Sequence, residues 1–298
     1  MDFTVVIPTF NRKELVLRAV QSAYDTQWAG IEIIVVDDGS TDGTEELVKE
    51  MFPEVVYFRS NQNCGPGAAR DVGIQHASGT WTVLLDDDDM LRRESLATMA
   101  RSIRDWPQAA DFPCLQFAHA HGKLHRPFQV IQLADYLHGQ ISGEFVPVIN
   151  TRKFLESGLR YPRVRVGGEH LLWFHVAKAY GIPSWADRVA DLGSDAPRRL
   201  TSTVNQLGRS AEYANLSDLT ISQFGSDILR LAPEQYLKHA IGAATYWMLA
   251  GNRRAASLSA RKLAFPYSAA AGGFIVLTSL LPTALLHWMF RVFRSAAA

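Results

Sequence analysis

The chain has 298 residues, 47% hydrophobic and 20% charged, enough apolar material for one large domain or for a domain with a helical appendage. This composition excludes disordered and fibrous proteins. Lysine plus arginine and aspartate plus glutamate are balanced at 30 each, so the chain lacks the overall positive charge that attracts nucleic acid, and we expect no nucleic-acid partner.

The first ninety residues alternate strand and helix signals, which is typical of a mainly parallel sheet with crossover helices. Runs of β-branched and apolar residues predict four strands, at 3–7, 31–36, 55–58 and 81–85. Apolar spacing and proline positions predict helices at 15–24, 45–52 and 67–77, the first of them capped by Asn11. The predicted fold class is therefore an open α/β domain.

The second part of the chain changes its character. Strands are predicted at 112–118 and 144–149 and helices at 151–157 and 169–180. From about residue 205 the pattern is helical only, with segments at 233–250 and 252–265. We therefore expect two domains, 1–204 and a smaller all-α region, 205–298.

Three histidines lie in a hairpin-like insert between the strands at 112–118 and 144–149. His119 and His121 are alternate residues, which share a face if the strand continues, and His125 follows closely. No cysteine accompanies them as a further zinc ligand. We favour an exposed hairpin or a wall of an acceptor pocket over a metal site.

Two acidic clusters follow predicted buried strands. Asp37 and Asp38 come after the second strand, and the run Asp86 to Asp89 comes after the fourth. Ligands of open α/β sheets bind at the carboxyl ends of the strands, where these side chains should converge. Carboxylates so close together require either a cation or protonation of some members.

Four segments in order closely resemble the family 2 glycosyltransferases: Val-Val-Ile-Pro-Thr-Phe-Asn-Arg at 5–12, Val-Val-Asp-Asp-Gly-Ser-Thr-Asp at 35–42, residues 63–73, and Leu-Leu-Asp-Asp-Asp-Asp at 84–89. The resemblance covers roughly the first 200 residues. It implies a GT-A fold, which is a Rossmann-like nucleotide-sugar-binding domain, and an inverting transfer from a nucleotide-sugar donor, here a UDP-sugar. A sugar-phosphate nucleotidyltransferase and a catalytically silent GT-A scaffold are the alternatives.

The resemblance also implies roles for single residues in donor binding. Asp38 matches the carboxylate that accepts from the nucleotide base, and the segment Pro8, Thr9 and Phe10 matches the one that wraps the nucleoside. Arg70 matches a basic residue near the nucleotide, where a guanidinium suits diphosphate oxygens. Asp71 stands where the family often has Asn.

The aspartate run matches the DXD motif of the same family. Asp86 and Asp87 are expected at the nucleotide sugar, and Asp88 and Asp89 are expected to hold a divalent cation, Mn²⁺ or Mg²⁺. Such a cation offsets the charge that develops on the departing nucleoside diphosphate.

The catalytic base is expected at the start of a helix, where the family commonly has a Glu-Asp pair with Asp as the base. Here the pair is Glu169 and His170. Glu169 is the preferred base, and His170 is the alternative because its ordinary pKa of roughly 6.5 suits proton transfer.

The end of the chain is the one membrane-like segment. Residues 263–290 contain no charged side chain, and Arg291 and Arg294 follow. The segment could lie in a membrane interface, pack into the helical region or span a bilayer, and Pro282 favours the first of these. Family 2 enzymes with similar helical tails build bacterial surface polysaccharides, which implies a lipid-linked saccharide acceptor.

The start of the chain lacks the basic region of a signal peptide. We therefore expect a cytoplasmic protein, peripheral on the cytoplasmic face of the inner membrane.

Arg198 and Arg199 lie where the family often has a segment that closes over the diphosphate.

Overall fold

The computed structural model describes residues 1–193 and 203–296, and the chain divides into two compact units, Met1–Ala196 and Pro197–Ala298. The boundary expected between 204 and 205 lies a few residues further along the chain. Arg198 and Arg199 lie outside the described residues, so their expected role at the diphosphate stays a prediction.

The first unit contains the strands and seven α-helices. The strands are β1 (Phe3–Thr9), β2 (Glu32–Asp37), β3 (Val56–Arg59), β4 (Trp81–Leu84), β5 (Asp89–Leu91), β6 (Cys114–Ala118), β7 (Lys123–Leu124), β8 (Phe128–Ile131), β9 (Ile141–Ser142), β10 (Phe145–Asn150), β11 (Ile182–Arg188) and β12 (Ala190–Leu192). The helices are α1 (Lys13–Asp25), α2 (Thr44–Met51), α3 (Pro66–His76), α4 (Ser95–Asp105), α5 (Leu133–Leu137), α6 (Thr151–Glu156) and α7 (Glu169–Ala179), with a 3₁₀ turn at Pro107–Asp111.

The main sheet has eight strands in the order β3-β2-β1-β4-β10-β6-β11-β8. The strands from β3 to β4 are parallel to one another, as the alternation of strand and helix signals predicts. Beyond them the sheet is mixed, because β10 is antiparallel to both its neighbours and β8 is antiparallel to β11. Two short antiparallel pairs, β12 with β5 and β7 with β9, lie outside this sheet.

Helices cover both faces of the sheet because its central strands are apolar on both sides. All seven residues of β1 are buried. Val5 and Ile7 pack in one apolar cluster with Val16 of α1, whereas Val6 packs in a second cluster with Ile74 of α3. This sandwich places the carboxyl ends of β1, β2 and β4 at one edge.

The first helix begins differently from the prediction. Its N-cap is Arg12 and not Asn11, whose φ of 52° lies in the left-handed region. The amide oxygen of Asn11 instead accepts a hydrogen bond from the backbone N–H of Thr41 at 2.7 Å. Asn11 therefore links the loops that follow β1 and β2 through this hydrogen bond. The prediction that Asn11 caps the helix is wrong.

The second unit is helical, as expected. It contains α8 (Thr203–Gly208), α9 (Ser210–Leu231), α10 (Pro233–Leu249), α11 (Arg253–Arg261), α12 (Tyr267–Ser279) and α13 (Thr283–Ala296). The carboxylate of Asp218 on α9 accepts hydrogen bonds from Trp247 Nε1 at 2.9 Å and from the hydroxyl of Ser259, so one side chain joins α9, α10 and α11.

The uncharged segment near the end forms two helices separated at Pro282, as predicted. Among the described residues, no single helix has both the length and the apolar character needed to cross a membrane. The segments Tyr267–Ser279 and Thr283–Val292 meet the length and composition requirement only as a pair, across a bend of 113°.

Candidate active site

The acidic clusters lie at the edge where β1, β2 and β4 end. Thr9, the last residue of β1, is in register with Asp37, the last residue of β2. The run from Asp86 begins two residues after the end of β4. The parallel part of the sheet thus brings both clusters to one edge, as expected from the sequence.

Asp37 has a structural role at this edge. Its buried carboxylate accepts hydrogen bonds from the backbone N–H of Ser40 at 2.8 Å and from the Tyr57 hydroxyl at 2.9 Å. Burial and this hydrogen bond raise the pKa of Tyr57 above its ordinary value. Asp37 therefore holds the turn that follows β2.

Asp38, the expected acceptor from the nucleotide base, holds the loop before α3. Its two oxygens accept from the backbone N–H groups of Cys64 at 2.8 Å and Gly65 at 2.7 Å. Burial raises the pKa of Asp38 despite these donors. A carboxylate has further lone pairs, so contact with a base stays a prediction.

The segment expected to wrap the nucleoside is partly buried. Pro8 and Thr9 are buried in β1, and Phe10 directly after the strand is 40% exposed. Thr9 donates from its hydroxyl to Asp87 at 2.8 Å. Of the three, Phe10 therefore offers the largest surface to a ligand.

Asp87 is the one buried aspartate of its run. Its carboxylate accepts from Thr9 and from Arg12 Nη1, the latter at 2.8 Å, and the residue is only 5% exposed. Burial raises the pKa of Asp87 to about 6, although Arg12 and Thr9 counteract it. Asp87 thus ties the run to β1, and its expected contact with the nucleotide sugar stays a prediction.

Asp86, Asp88 and Asp89 form a group suited to a metal ion, which is called the metal-ligand group below. One carboxylate oxygen from each lies within 4.8 Å of the others. Asp86, which was expected at the nucleotide sugar, thus joins the two expected metal ligands.

The surroundings of Asp89 fit the same interpretation. Its Oδ1 is buried and has no hydrogen-bond partner among the described residues. An unsatisfied buried oxygen is costly unless a donor or a cation binds it. Three hard carboxylate oxygens match Mg²⁺ or Mn²⁺, so these residues fit the implied cation.

His119 lies beside this group, which corrects the expectation of an exposed hairpin. It is 2% exposed, and its Nε2 lies 3.2 Å from Asp89 Oδ2. His121 and His125 are exposed, as expected for a hairpin. The missed signal is that His119 directly follows β6, all of whose residues are buried.

Arg70 links the metal-ligand group to the expected catalytic base. Its Nη1 lies 3.0 Å from Glu169 Oε1, its Nη2 binds Asp86 Oδ1, and its guanidinium lies over the ring of Tyr161. Burial lowers the pKa of Arg70, but Asp86, Tyr161 and Glu169 raise it above its ordinary value, so the group stays charged. Arg70 was expected at the diphosphate, and the structure shows it bridging two carboxylates.

Glu169 and His170 open α7 as predicted. Gly168, with a φ of 94°, precedes the helix and directs Glu169 toward Arg70. The His170 ring packs edge-on against Phe174 at a centroid distance of 5.5 Å. Arg70 therefore contacts both Glu169 and Asp86 of the metal-ligand group, so a single side chain separates the two.

Residues 4–134 match the family model described as glycosyl transferase family 2. A curated relative is the GalNAc(5)-diNAcBac-PP-undecaprenol beta-1,3-glucosyltransferase of Campylobacter jejuni, which is 30% identical over 187 residues. That alignment covers 59% of this chain and 59% of the relative, so the chain spans less than two thirds of its length.

Solved structures share the fold at low identity. TarS 1–349 of S. aureus in complex with UDP-GlcNAc has a TM-score of 0.59 and 15% identity, with 99% of this chain and 92% of that chain covered. The mannosyltransferase PcManGT of Pyrobaculum calidifontis in complex with GDP-Man and Mn²⁺ has a TM-score of 0.53 and 18% identity, with 99% and 85% covered. The first unit thus has the GT-A fold expected from the sequence. By the family match over residues 4–134 and by the curated relative, the chain is similar to the family 2 glycosyltransferases.

Proposed function

We propose that this protein is a metal-dependent, inverting glycosyltransferase that moves a sugar from a UDP-sugar to a lipid-linked saccharide in cell-surface polysaccharide synthesis. One observation carries the proposal: Arg70 joins the Asp86, Asp88 and Asp89 group to Glu169 at one edge of the sheet. This arrangement supports a cation site for a diphosphate beside a carboxylate that would take the acceptor proton.

The donor end of the site is built from the first two strands and the aspartate run. Asp38 and Phe10 would contact the nucleoside, and Asp86, Asp88 and Asp89 would hold Mn²⁺ or Mg²⁺. When bound, the cation would neutralise charge on the nucleoside diphosphate leaving group. Solved structures of the same fold contain UDP-GlcNAc, or GDP-Man with Mn²⁺, which is consistent with a nucleotide sugar and a divalent cation here.

The acceptor end centres on Glu169. In a single displacement, the acceptor oxygen forms a bond to the anomeric carbon while that carbon loses its bond to the diphosphate oxygen. Arg70 contacts Glu169 Oε1, and Oε2 would take the acceptor hydroxyl proton. Arg70 fixes the orientation of this carboxylate, and His170 is the alternative base.

The acceptor class follows from the curated relative, whose name specifies a saccharide linked through PP to undecaprenol. A similar acceptor, an oligosaccharide on a polyprenyl diphosphate, is the one we propose for this chain. The individual sugar and the linkage depend on residues after about 110, a region without a readable motif.

The test is a panel of UDP- and GDP-sugars incubated with the full chain, with Mn²⁺ or with EDTA. We expect cation-dependent hydrolysis of one or a few UDP-sugars, and transfer when a polyprenyl-linked oligosaccharide is added. Activity that is equal in EDTA and in Mn²⁺ would contradict metal dependence. Formation of a nucleotide sugar from UTP and a sugar phosphate would indicate a nucleotidyltransferase, and no donor turnover at all would indicate a silent scaffold.

A further inference from the structure

The last part of the second unit carries charge of one sign. No aspartate or glutamate follows Glu234, whereas seven lysines and arginines do. Six of these are exposed in the described structure: Lys238, Arg253, Arg254, Arg261, Lys262 and Arg291. The helices after Glu234 therefore expose positive side chains and carry no acidic residue of their own.

The same region exposes large apolar side chains. On α12 and the turn after it, Val276, Leu277 and Leu280 are 65%, 71% and 82% exposed. On α13, Trp288 and Met289 are 60% and 46% exposed. These five residues are called the apolar tail surface below.

Both helices are nevertheless anchored in the second unit. Ala271 and Ile275 of α12 are buried. On α13, Leu286 is buried and His287 Nε2 lies 2.8 Å from the backbone oxygen of Leu249 on α10. Each helix thus packs through one side and exposes apolar residues on another, so the exposure is not that of a detached tail.

Large apolar side chains that are exposed in this number on anchored helices indicate an interaction surface. A bilayer span does not fit, because 13 and 14 residues make helices of about 20 Å each, short of the ~30 Å hydrocarbon core. A second copy fits poorly, because a symmetric contact would bring like-charged basic residues together. An anionic lipid surface complements both the apolar and the basic character.

We infer that α12 and α13 dock the protein on an anionic bilayer, with the apolar tail surface in the interface and the basic residues at the lipid headgroups. This inference is independent of the proposed reaction, because vesicle binding requires neither donor nor acceptor. It gives the helical unit a function of its own.

The experiment is co-sedimentation of the full chain with two kinds of vesicle. One is phosphatidylcholine alone, and the other is phosphatidylcholine with about 30% of the anionic lipid phosphatidylglycerol. We expect binding to the anionic vesicles and partial release at high salt. Leu280→Glu should weaken binding by roughly tenfold or more, because it places a carboxylate in the interface. Met51→Glu, which changes an exposed apolar residue of the first unit, is the matched control and should bind like the parent.

A second pair of variants tests the basic component. Arg253→Gln with Arg254→Gln should weaken binding severalfold on the anionic vesicles and leave the weak binding to phosphatidylcholine unchanged. Failure of the parent chain to bind anionic vesicles would overturn the inference. So would a dimer in light scattering that Leu280→Glu dissociates, because a second copy would then cover the surface.

Discussion

Glu169 and His170 are the two candidates for the catalytic base, and the contacts of Glu169 favour it. Glu169 binds the buried Arg70, which is itself fixed by Asp86, so its carboxylate is held in one orientation. His170 packs on Phe174, a neighbour on its own helix. A general base is usually oriented by a second group, and Arg70 orients Glu169 in this way.

Replacement of Glu169 by Gln should therefore lower kcat by roughly 100-fold or more, the usual scale of general base catalysis. Gln still offers an oxygen to Arg70, so donor affinity and the fold should change little. Steady-state kinetics and donor titration are the measurements. If His170→Ala lowers kcat as strongly and Glu169→Gln does not, the base is His170.

Asp88 is the least engaged of the three carboxylates in the metal-ligand group. Its nearest cation is Arg12 at 3.5 Å, whereas Asp86 binds Arg70 and Asp89 lies against His119. Asp88→Asn should therefore abolish turnover and the Mn²⁺-dependent part of donor affinity while the circular dichroism spectrum stays unchanged. Asp105→Asn, at the exposed end of α4, is the control. Full activity of Asp88→Asn would exclude Asp88 as a ligand.

Asp71 gives a pH-dependent prediction away from the metal-ligand group. Burial raises its pKa to about 6, against a hydrogen bond from the Tyr161 backbone N–H and the charges of Arg160 and Arg163. In an unfolded chain the pKa of an aspartate is about 3.9, the value of a free side chain. The folded protein therefore holds this proton more tightly, and its stability should fall as the pH rises from about 4 to about 6.

Asp71→Asn removes that loss and keeps an oxygen for the Tyr161 N–H. The variant should be more stable than the parent at pH 7.5, by about 1 kcal/mol after allowance for partial exposure, and equally stable near pH 4. Urea unfolding at several pH values measures the difference. A gain in stability that is the same at all pH values would contradict the ionisation argument.

At the scale of elements, the sequence predicts the parallel half of the sheet better than the rest. Its strands are rich in apolar and β-branched residues, and Pro53, Pro66 and Gly79 lie between them. The strand β11 is not predicted, because Asp187 and Arg188 make its second half polar and exposed. Periodicity along the chain does not show that such a strand lies between β6 and β8.

The candidate site likewise contains residues that the sequence predicts and residues that it does not. The positions of Asp38, Glu169 and the aspartate run follow from motif order and strand ends. The partners Arg12, His119 and Tyr161 do not, because each meets its aspartate or arginine only through contacts distant in sequence. Arg70 is recognised as a site residue, but its bridging of Asp86 and Glu169 depends on tertiary structure.

The close packing of α3 on β1 positions Arg70 and can be tested. A Cβ at Gly73 would lie 2.2 Å from Cγ1 of Val6, so the helix can approach the strand this closely only with glycine there. Gly73→Ala should therefore destabilise the protein by roughly 1–3 kcal/mol, the usual cost of overpacking. Shifts of the urea midpoint measure the effect.

The matched experiment combines this change with Val6→Ala, which removes both γ-methyl groups that the new Cβ would meet. Val6→Ala alone opens a cavity, so the two defects should partly compensate in the double variant. We expect a coupling of at least about 0.5 kcal/mol relative to the sum of the single effects. Additive effects would show that α3 shifts away from β1 instead of clashing with it.

For the whole molecule, the net charge of zero conceals a separation between the two units. The second unit contains 11 lysines and arginines but only four acidic residues: Glu212, Asp218, Asp227 and Glu234. The acidic residues are thus concentrated in the first unit, where some of them build the candidate active site. Global charge therefore excludes a basic field over the whole protein but not a basic surface on one unit.

Under the proposed function and the docking inference, the first unit would carry the chemistry and the second unit would hold the protein at the membrane that contains the acceptor. A lipid-linked acceptor is confined to the bilayer, so a docked enzyme meets it at a raised effective concentration. Leu280→Glu should therefore lower the rate of transfer to an acceptor embedded in anionic vesicles, by roughly tenfold or more if docking is weakened to that extent. It should leave hydrolysis of the donor in solution unchanged, because Leu280 lies outside the unit that holds the site.

The comparison that decides this last prediction uses one variant and two acceptors. With a short-chain, water-soluble form of the acceptor, Leu280→Glu and the parent should react at the same rate, since neither gains from docking. Met51→Glu should match the parent on both acceptors. Equal loss on the soluble and the embedded acceptor would mean that the substitution disturbs the active site or the fold, and that the helical unit does more than hold the enzyme at the membrane.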